Sequence, residues 1–457
     1  MTLRFFDTLA GAAREFVPLE PGRVRIYSCG PTVYGPAHVG NFRAFTFDDL
    51  LVRYLRFRGY DVTWVMNLTD VDDKIIRRAN EEGVAIDVIS RRYEEVFLAD
   101  LDALGVRRPD VMPRATEHIP EQIDLVQRLL ERGHAYRTDD GSIFFKIASW
   151  PDYGRLARLD PEAMRVGERV EADEYSKEDV RDFVLWKAAK PGEPSWDGPL
   201  GPGRPGWHLE CSAMSMRYLG ESFDLHTGGI DLIFPHHEDE IAQSEAATGR
   251  PFVGTWLHCA HLHVSGDKMS KSLGNISRVS ELLADGAEPR ALRLALVSAH
   301  YRTNLNYNAD SLSAASSAIA RIDAFEAALR VRVGTASGDR EADDRASELA
   351  DRSWLRFAAA MDDDLAVPEA LAALFDLVRD GNRILDSSCS GVGAREGGQD
   401  QVCFRIGRGS ARRERAASRP PGTQESEGIR WKRLSTSASL HSIPGRNPAR
   451  ATKACKE

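Results

Sequence analysis

Apolar residues recur along this chain with two different periods. Short runs with β-branched character, Val24-Arg25-Ile26-Tyr27 and Val62-Thr63-Trp64-Val65-Met66, alternate with stretches of helical period such as residues 46–57. Strands alternating with helices predict βαβ units and a parallel sheet. Ligands of such sheets bind beyond the carboxyl ends of the strands, so the segments after Tyr27 and after Met66 are candidate site segments.

From about residue 113 to 205 the pattern becomes irregular. It holds a predicted helix near 120–132, a Tyr/Phe-rich stretch and the Pro/Gly-rich run KPGEPSWDGPLGPGRPG ending at Gly206. This reads as an insertion within the α/β domain. The α/β pattern resumes at 224–234 and 253–264, and helical periods follow at 287–300 and 311–330. The chain stays mainly helical to about Leu385. After Ser388 it turns into Gly, Ser, Arg, Pro and Thr with hardly any apolar periodicity. Such a composition buries too little surface to offset its ordering entropy, so residues 389–457 are expected to be largely disordered.

The 457 residues are enough for about three domains at roughly 100–200 residues each. No apolar run approaches the ~18–20 residues that span a bilayer, and the first residues, MTLRFFDTLAGAAREF, carry Asp7 and Glu15 where an export signal would be apolar. The expectation is a soluble cytoplasmic protein with no membrane partner. Cys29, Cys211, Cys259, Cys389, Cys403 and Cys455 are too dispersed for a secreted disulfide scaffold, which leaves metal binding, catalysis or inert burial. The net charge of −9 hides a split: residues 389–457 hold 14 Lys+Arg against 6 Asp+Glu, leaving −17 for residues 1–388. A nucleic acid would therefore meet a local basic surface. Only 10 of the 60 basic residues are lysine, so lysine clusters carry more weight than usual.

Several segments carry candidate chemistry. YSCGPTVYGPAHVGN leaves a strand through a Gly/Pro turn and enters a helix, with His38 and Asn41 flanking the helix start and Gly40 between them. A helix N-terminus presents unpaired N–H groups to a phosphate, and Gly40 permits close approach of a flat ring; read alone, the string is equally a turn with a capping asparagine. KMSKSLGN places Lys268 and Lys271 on a loop bounded by Gly266 and Gly274, where point charges can close over a triphosphate. A solvated surface loop is the plain alternative. Cys29, Cys211, His236 and Glu240 form a plausible tetrahedral zinc set. His236 and Glu240 are four apart in a predicted helix and so share a face, while His237 is a competing ligand that would point about 100° away. In NLTDVDDK we expect Thr69 or Asp70 to cap a helix with Asp72 and Asp73 in its first turn, leaving Thr69 facing the crevice. His226 follows a strand and opens a Gly-rich loop, as ligand-facing residues often do, whereas His258, His261 and His263 are expected to be structural.

Taken in order, YSCGPTVYGPAHVGN, NLTDVDDKI, GWHLECSAM, HTGGIDLIFPHHEDEIAQSEA and KMSKSLGN resemble the cysteinyl-tRNA synthetases, a family of class I aminoacyl-tRNA synthetases, from about residue 2 to 388. HVGN resembles the first class I signature and KMSKS matches the second. The resemblance implies a Rossmann-like parallel-sheet catalytic domain in two halves, 1–112 and 207–265, interrupted by a connective insertion at 113–206. It further implies a KMSKS and stem-contact region at 266–310, a helical tRNA- and anticodon-binding domain at 311–388, and an atypical tail at 389–457.

The same resemblance implies one zinc ion on Cys29, Cys211, His236 and Glu240, joined by the substrate thiolate. It implies ATP, accompanied by magnesium, held by His38, Gly40 and Asn41 with Lys268 and Lys271 on the triphosphate, and Thr69, Trp207 and His226 lining the amino-acid pocket. Read by itself, Trp207 is an ordinary core residue. The implied partners are L-cysteine, ATP and tRNA(Cys), and the chain is expected to be a monomer. Two other readings remain at this stage: a ligase joining cysteine to an amino sugar by the same chemistry, and a synthetase-like tRNA-binding protein without catalysis. The first departs from this chain at Asn41, where its first signature reads HLGH. The second has to explain intact HVGN and KMSKS segments.

Overall fold

The computed structural model describes residues 2–159, 181–264, 267–268, 277–334 and 340–390. Four strands form the central sheet: β1 (Arg23–Ser28), β2 (Asp61–Met66), β3 (Phe223–Gly229) and β4 (Val253–Cys259). They lie in the order β4-β3-β1-β2 and all pairs are parallel. A sheet covered on both faces needs apolar residues on both, which is why β1 and β2 end in uninterrupted buried runs and β3 is buried from Phe223 to Gly228. Helix α1 (Val39–Phe57) crosses from β1 to β2 and buries Phe42, Leu51, Val52 and Leu55 in the main core.

The chain leaves β1 toward β2 on one side, and β3 is added later on the other. A crevice therefore opens at the carboxyl ends of β1 and β3, the usual ligand position in such sheets. Register brings Ser28 opposite both Met66 and Thr227, so the residues that follow β1 and β2 converge with the end of β3.

Helix α2 (Asp73–Glu82) is capped by Asp72, whose carboxylate accepts from the Lys74 N–H at 2.8 Å, and not by Thr69 or Asp70 as the sequence led us to expect. Thr69 bridges to Thr32 in extended backbone, which postpones the helix start. Asp70 is taken up by the Thr116 N–H and hydroxyl at 2.9 and 2.5 Å. Asp73 lies in the first turn as expected, but it also pairs with Lys187 at 2.7 Å and with Arg204.

Between the two halves of this sheet lie a helix (Ile119–Glu131) and an antiparallel sheet of Ala135–Arg137, Ile143–Phe145, Phe183–Ala188 and Gly203–Pro205. Strands of three residues are too short to display a period of two, so this stretch looks irregular in sequence although Ile143, Phe144 and Phe145 are fully buried. Its core, including Ile123, Leu129, Phe145 and Trp186, continues into Leu209 and Ala213 of α3 (Trp207–Leu219) and Ala242 and Ala246 of α4 (Glu238–Thr248). The insertion thus packs on the two helices that carry candidate site residues.

Beyond β4, Leu262–Val264 pairs in parallel with Leu305–Tyr307 and antiparallel with Asp267–Lys268, a small sheet too short to be read from periodicity. After a short helix, Val279–Ala284, four longer ones complete the described residues: α5 (Pro289–Val297), α6 (Ala309–Gly334), α7 (Arg340–Asp362) and α8 (Val367–Ser390). Among the described residues no helix is long and apolar enough to cross a membrane. The expected disorder of the tail falls on residues of which all but 389 and 390, the end of α8, lie outside the described ones.

Candidate active site

Cys29 directly follows β1, Cys211 lies in α3, and Glu240 lies in the first turn of α4. His236 sits just before α4 in the segment Ile233–His237, which is broken by extended backbone at Phe234 (φ −138°, ψ 134°), and His237 leads into α4 with helical backbone. All four side chains are buried, and their ligand atoms lie within 4.8 Å of one another. The Cys29 and Cys211 sulfurs are 3.9 Å apart, Cys29 Sγ is 3.7 Å from Glu240 Oε1, and His236 Nε2 is 3.0 Å from the same oxygen. Zinc holds thiolates at ~2.3 Å and imidazole or carboxylate at ~2.0 Å, so the atoms of a tetrahedral set stand about 3.3–3.8 Å apart. The four donors fit that spacing, with the His236–Glu240 pair drawn together by its hydrogen bond.

A second overlapping set, Cys29, His226, His237 and Glu240, meets the same distance condition. His237 does not point away as its helical phase predicted. Its Nε2 lies 3.3 Å from Cys29 Sγ. Gly228 makes room for it: a Cβ there would stand 2.8 Å from the His237 ring. His237 Nδ1 contacts His258 Nε2 at 2.8 Å, and His226 Nε2 contacts Glu240 Oε2 at 3.0 Å. The two oxygens of Glu240 are thus divided between His236 and His226.

The electrostatics of the cluster are divided: burial, with Cys211 and Glu240, pushes the Cys29 thiol well up, while the other three donors are held in their charged forms. Burial by itself would raise the Glu240 carboxyl, but His226 and His236 outweigh it and bring it down to about 2. Burial likewise opposes a Cys211 thiolate, yet the Cys29 hydrogen bond and the His236 charge bring that thiol down to about 6. His236 is lowered by burial but held up at about 10 by Glu240 and Cys211. By contrast burial, reinforced by neighbouring imidazoles, holds His208 and His237 well below the ordinary value, and burial with His226 brings His258 down to about 3. Positive charge is therefore concentrated on the one imidazole that lies between a thiolate and a carboxylate, where a metal ion would sit.

The expected pocket residues surround this cluster. Thr69 is buried after β2, and its hydroxyl donates to Glu210 Oε2 at 2.9 Å. Trp207 opens α3 and is 38% exposed, so the core position read from the residue type alone is not the one it occupies. Its ring stacks on His236 at 4.3 Å between centroids. His226 is fully buried in β3, stacked on Trp256 at 4.5 Å. Gly30 lets the chain turn beside Asn67: its N–H donates to Asn67 Oδ1 at 2.9 Å, and a Cβ there would stand 1.7 Å from the Asn67 carbonyl oxygen.

His38 and Asn41 cap α1 reciprocally. The Asn41 N–H donates to His38 Nδ1 at 3.2 Å, and the His38 N–H donates to Asn41 Oδ1 at 3.1 Å, with Gly40 in the turn between them. This pairing is an imidazole version of the capping box. The Val39 N–H donates to the Ser277 carbonyl at 2.9 Å, so the chain returns to the start of α1 just after the KMSKS segment. Lys268 lies in the short strand beside His263, and Lys271 lies outside the described residues.

Sequence reasoning missed Glu210, Gly30 and Asp48. Glu210 is the neighbour of Cys211 in GWHLEC, and burial pushes its carboxyl well up. No local signal distinguishes it from an ordinary helix glutamate. Asp48, in α1, is buried beneath Ser28 and Thr227, and its carboxyl is raised to about 7.

The description tRNA synthetases class I (C) catalytic domain matches residues 15–317, and the DALR domain matches residues 356–401. The chain is 47% identical to the cysteine–tRNA ligase of Koribacter versatilis, over 85% of this chain and 77% of that protein. It is 49% identical to that of Alkalilimnicola ehrlichii, over 84% and 80%, and 48% identical to that of Geobacter sulfurreducens over the same shares. Among solved structures, Mycobacterium tuberculosis methionyl-tRNA synthetase with methionyl-adenylate superposes with a TM-score of 0.63 at 19% identity, over 81% of this chain and 84% of that one. That likeness concerns the fold. A parallel sheet with its crevice between β1 and β3, crossed by a helix that opens at HVGN, together with these matches, defines a class I aminoacyl-tRNA synthetase. Within that class the chain belongs to the cysteine–tRNA ligase family.

Proposed function

We propose that this enzyme activates L-cysteine with ATP and transfers the cysteinyl group to the 3′ end of tRNA(Cys). The observation that carries the reading is the buried Cys29–Cys211–His236–Glu240 cluster at the carboxyl end of a class I sheet. The donor chemistry fits zinc, and we assign the ion to this set. The alternative set gives up the Cys211 thiolate, one of the two soft sulfur donors, for the imidazoles of His226 and His237. A zinc ion held by the assigned set would supply a soft Lewis acid for the substrate thiolate, which would separate cysteine from serine where an apolar pocket would manage only ~1–3 kcal/mol.

The chain's own residues do the rest. Trp207 covers His236 and forms a wall of the pocket, while Thr69 and His226 line it. The start of α1, with its positive dipole end, holds the ATP phosphates, and Gly40 admits them to the backbone. Lys268 and Lys271 neutralise the triphosphate while the amino-acid carboxylate oxygen attacks the α-phosphorus and pyrophosphate departs. A 3′-terminal hydroxyl of the tRNA then attacks the acyl carbon and AMP leaves. Magnesium accompanies the nucleotide. The helical region and its DALR match favour tRNA over an amino sugar as acceptor. We place the activity in the cytoplasm, in a monomer.

The test is cysteine-dependent ATP–pyrophosphate exchange by the full chain, with zinc content measured on the same sample. One zinc per chain and exchange that discriminates against serine support the reading. Exchange that persists unchanged after complete zinc removal would refute the assigned role of the cluster.

A further inference from the structure

Three consecutive aspartates connect α7 to α8, and each reaches a different part of the catalytic domain. Asp362 ends α7; it accepts the Tyr54 hydroxyl at 2.6 Å and pairs with Arg58, both at the far end of α1. Asp363 lies 3.8 Å from Arg4 in an exposed pair of the kind that contributes little. Asp364 is buried and more heavily engaged. Its carboxylate accepts from the Phe6 N–H at 2.8 Å, the Tyr301 hydroxyl at 2.5 Å and Arg302 Nε at 2.7 Å. Its own N–H donates to the Arg4 carbonyl at 3.0 Å.

The backbone there is strained. Asp364 and Leu365 both occupy the left-handed region, with φ of 58° and 52°. That conformation is unfavourable for a residue with a side chain, and it persists only where the surroundings over-determine it. The surroundings here are the donors on Asp364 and the main core, in which Leu365 is completely buried.

The segment that Asp364 grips through Tyr301 and Arg302 is also held from the opposite side. Arg43, two residues beyond Asn41 in α1, is 2% exposed and donates to the carbonyls of His261, His300 and Thr303. Residues 300–303 are therefore clamped between the helix that opens at HVGN and the turn that joins the helical pair.

We propose that Asp364 is a positioning residue that fixes α7 and α8 relative to the adenylate crevice, so that it serves transfer to tRNA and not cysteine activation. The proposal rests on the synthetase reading above. Activation needs the crevice, the start of α1 and the two lysines of KMSKS, whereas the carboxylate of Asp364 is held by Phe6, Tyr301 and Arg302. Transfer needs an RNA held by the helical domain and presented to the crevice at once, and a misplacement of 1 Å in such an arrangement can cost ~100-fold.

The experiment compares the parent chain with D364N and D364G, measuring exchange and the charging of a bacterial tRNA(Cys) transcript. Asn tolerates the left-handed backbone and keeps one acceptor, whereas Gly relieves the backbone and removes every acceptor. Exchange should stay within about 2-fold of the parent, while kcat/KM for tRNA falls about 10-fold in D364N and about 100-fold in D364G, mainly through KM. A parallel fall in both assays, or unchanged charging, overturns the proposal. If both variants lose their cooperative thermal transition, Tyr301→Phe carries the test. It deletes one hydroxyl, and the same split is required of it. A parent without cysteine-dependent exchange would instead refute the synthetase reading, and the proposal would fail with it.

Discussion

Glu240 Oε1 lies 3.7 Å from Cys29 Sγ although 211 positions separate the two residues in the chain. The strand order brings them together: β3 adds beside β1, and the chain after β3 turns through His236 into α4 across the end of β1. The donor cluster is thus a product of topology.

Removing one thiolate should dismantle it selectively. In Cys211→Ser, zinc content should fall to a small fraction of one per chain and cysteine-dependent exchange should drop by roughly 100-fold or more, because a structural contribution of several kcal/mol per ligand is lost. ATP binding, which we assign to the start of α1, should be nearly unchanged. Metal analysis with a fluorescent ATP-analogue titration reads both effects, and undiminished zinc would remove Cys211 from the ligand set.

His226 orients the carboxylate without belonging to the proposed ligand set. Its Nε2 contact with Glu240 Oε2 is the kind of outer partner whose loss costs ~10–100-fold in metal affinity. His226→Gln should accordingly shift a chelator-competition curve by that factor. A loss of zinc as complete as in Cys211→Ser would argue that His226 is itself a ligand, as the overlapping set allows.

Trp207 is partly exposed and stacked on His236, so its removal should affect the pocket more than the fold. An aromatic contact of this kind is worth ~0.5–1.5 kcal/mol, and Trp207→Ala should raise KM for cysteine about 3- to 10-fold. The thermal midpoint should move little, as expected of a residue outside the core. A large fall in midpoint with an unaltered KM would mark Trp207 as a packing residue only.

Asp48 predicts a pH dependence of stability. Burial raises its carboxyl to about 7, and hydrogen bonds from Thr227 and Ser28 offset this only in part. An unfolded aspartate titrates near ~3.9, so between about pH 4 and 7 the folded state keeps a proton that the unfolded state has lost. This group's contribution is therefore most favourable below pH 4, declines as pH rises to about 7, and is level above that. Asp48→Asn removes the decline, and its thermal midpoint relative to the parent should be higher at pH 8 than at pH 4.5 by about 3 °C or more. An equal difference at both pH values would show that the buried group is already paired well enough to ionise.

Much of the site is readable locally. YSCGPTVYGPAHVGN declares a strand, a turn and a helix start in one line, and the structure puts His38 and Asn41 at that start. The four-residue spacing of His236 and Glu240 also survives, with the two side chains 3.0 Å apart. The prediction for His237 does not. A phase argument concerns one helix alone and carries nothing about the Cys29 sulfur that β1 brings to within 3.3 Å of His237.

The sequence by itself determined the alternation of strands and helices, the donor types near the strand ends and the helix that opens at HVGN, because these depend on neighbours a few residues away. Tertiary structure alone decided that Cys29 meets Glu240, that Thr69 hydrogen-bonds Glu210 while Asp72 takes the cap, and that Asp364 grips Tyr301 and Arg302. Each of these follows from strand order, register or close packing between distant segments. Local pattern holds no information about such contacts, since burial and partner geometry come into being only when the sheet and its helices are assembled.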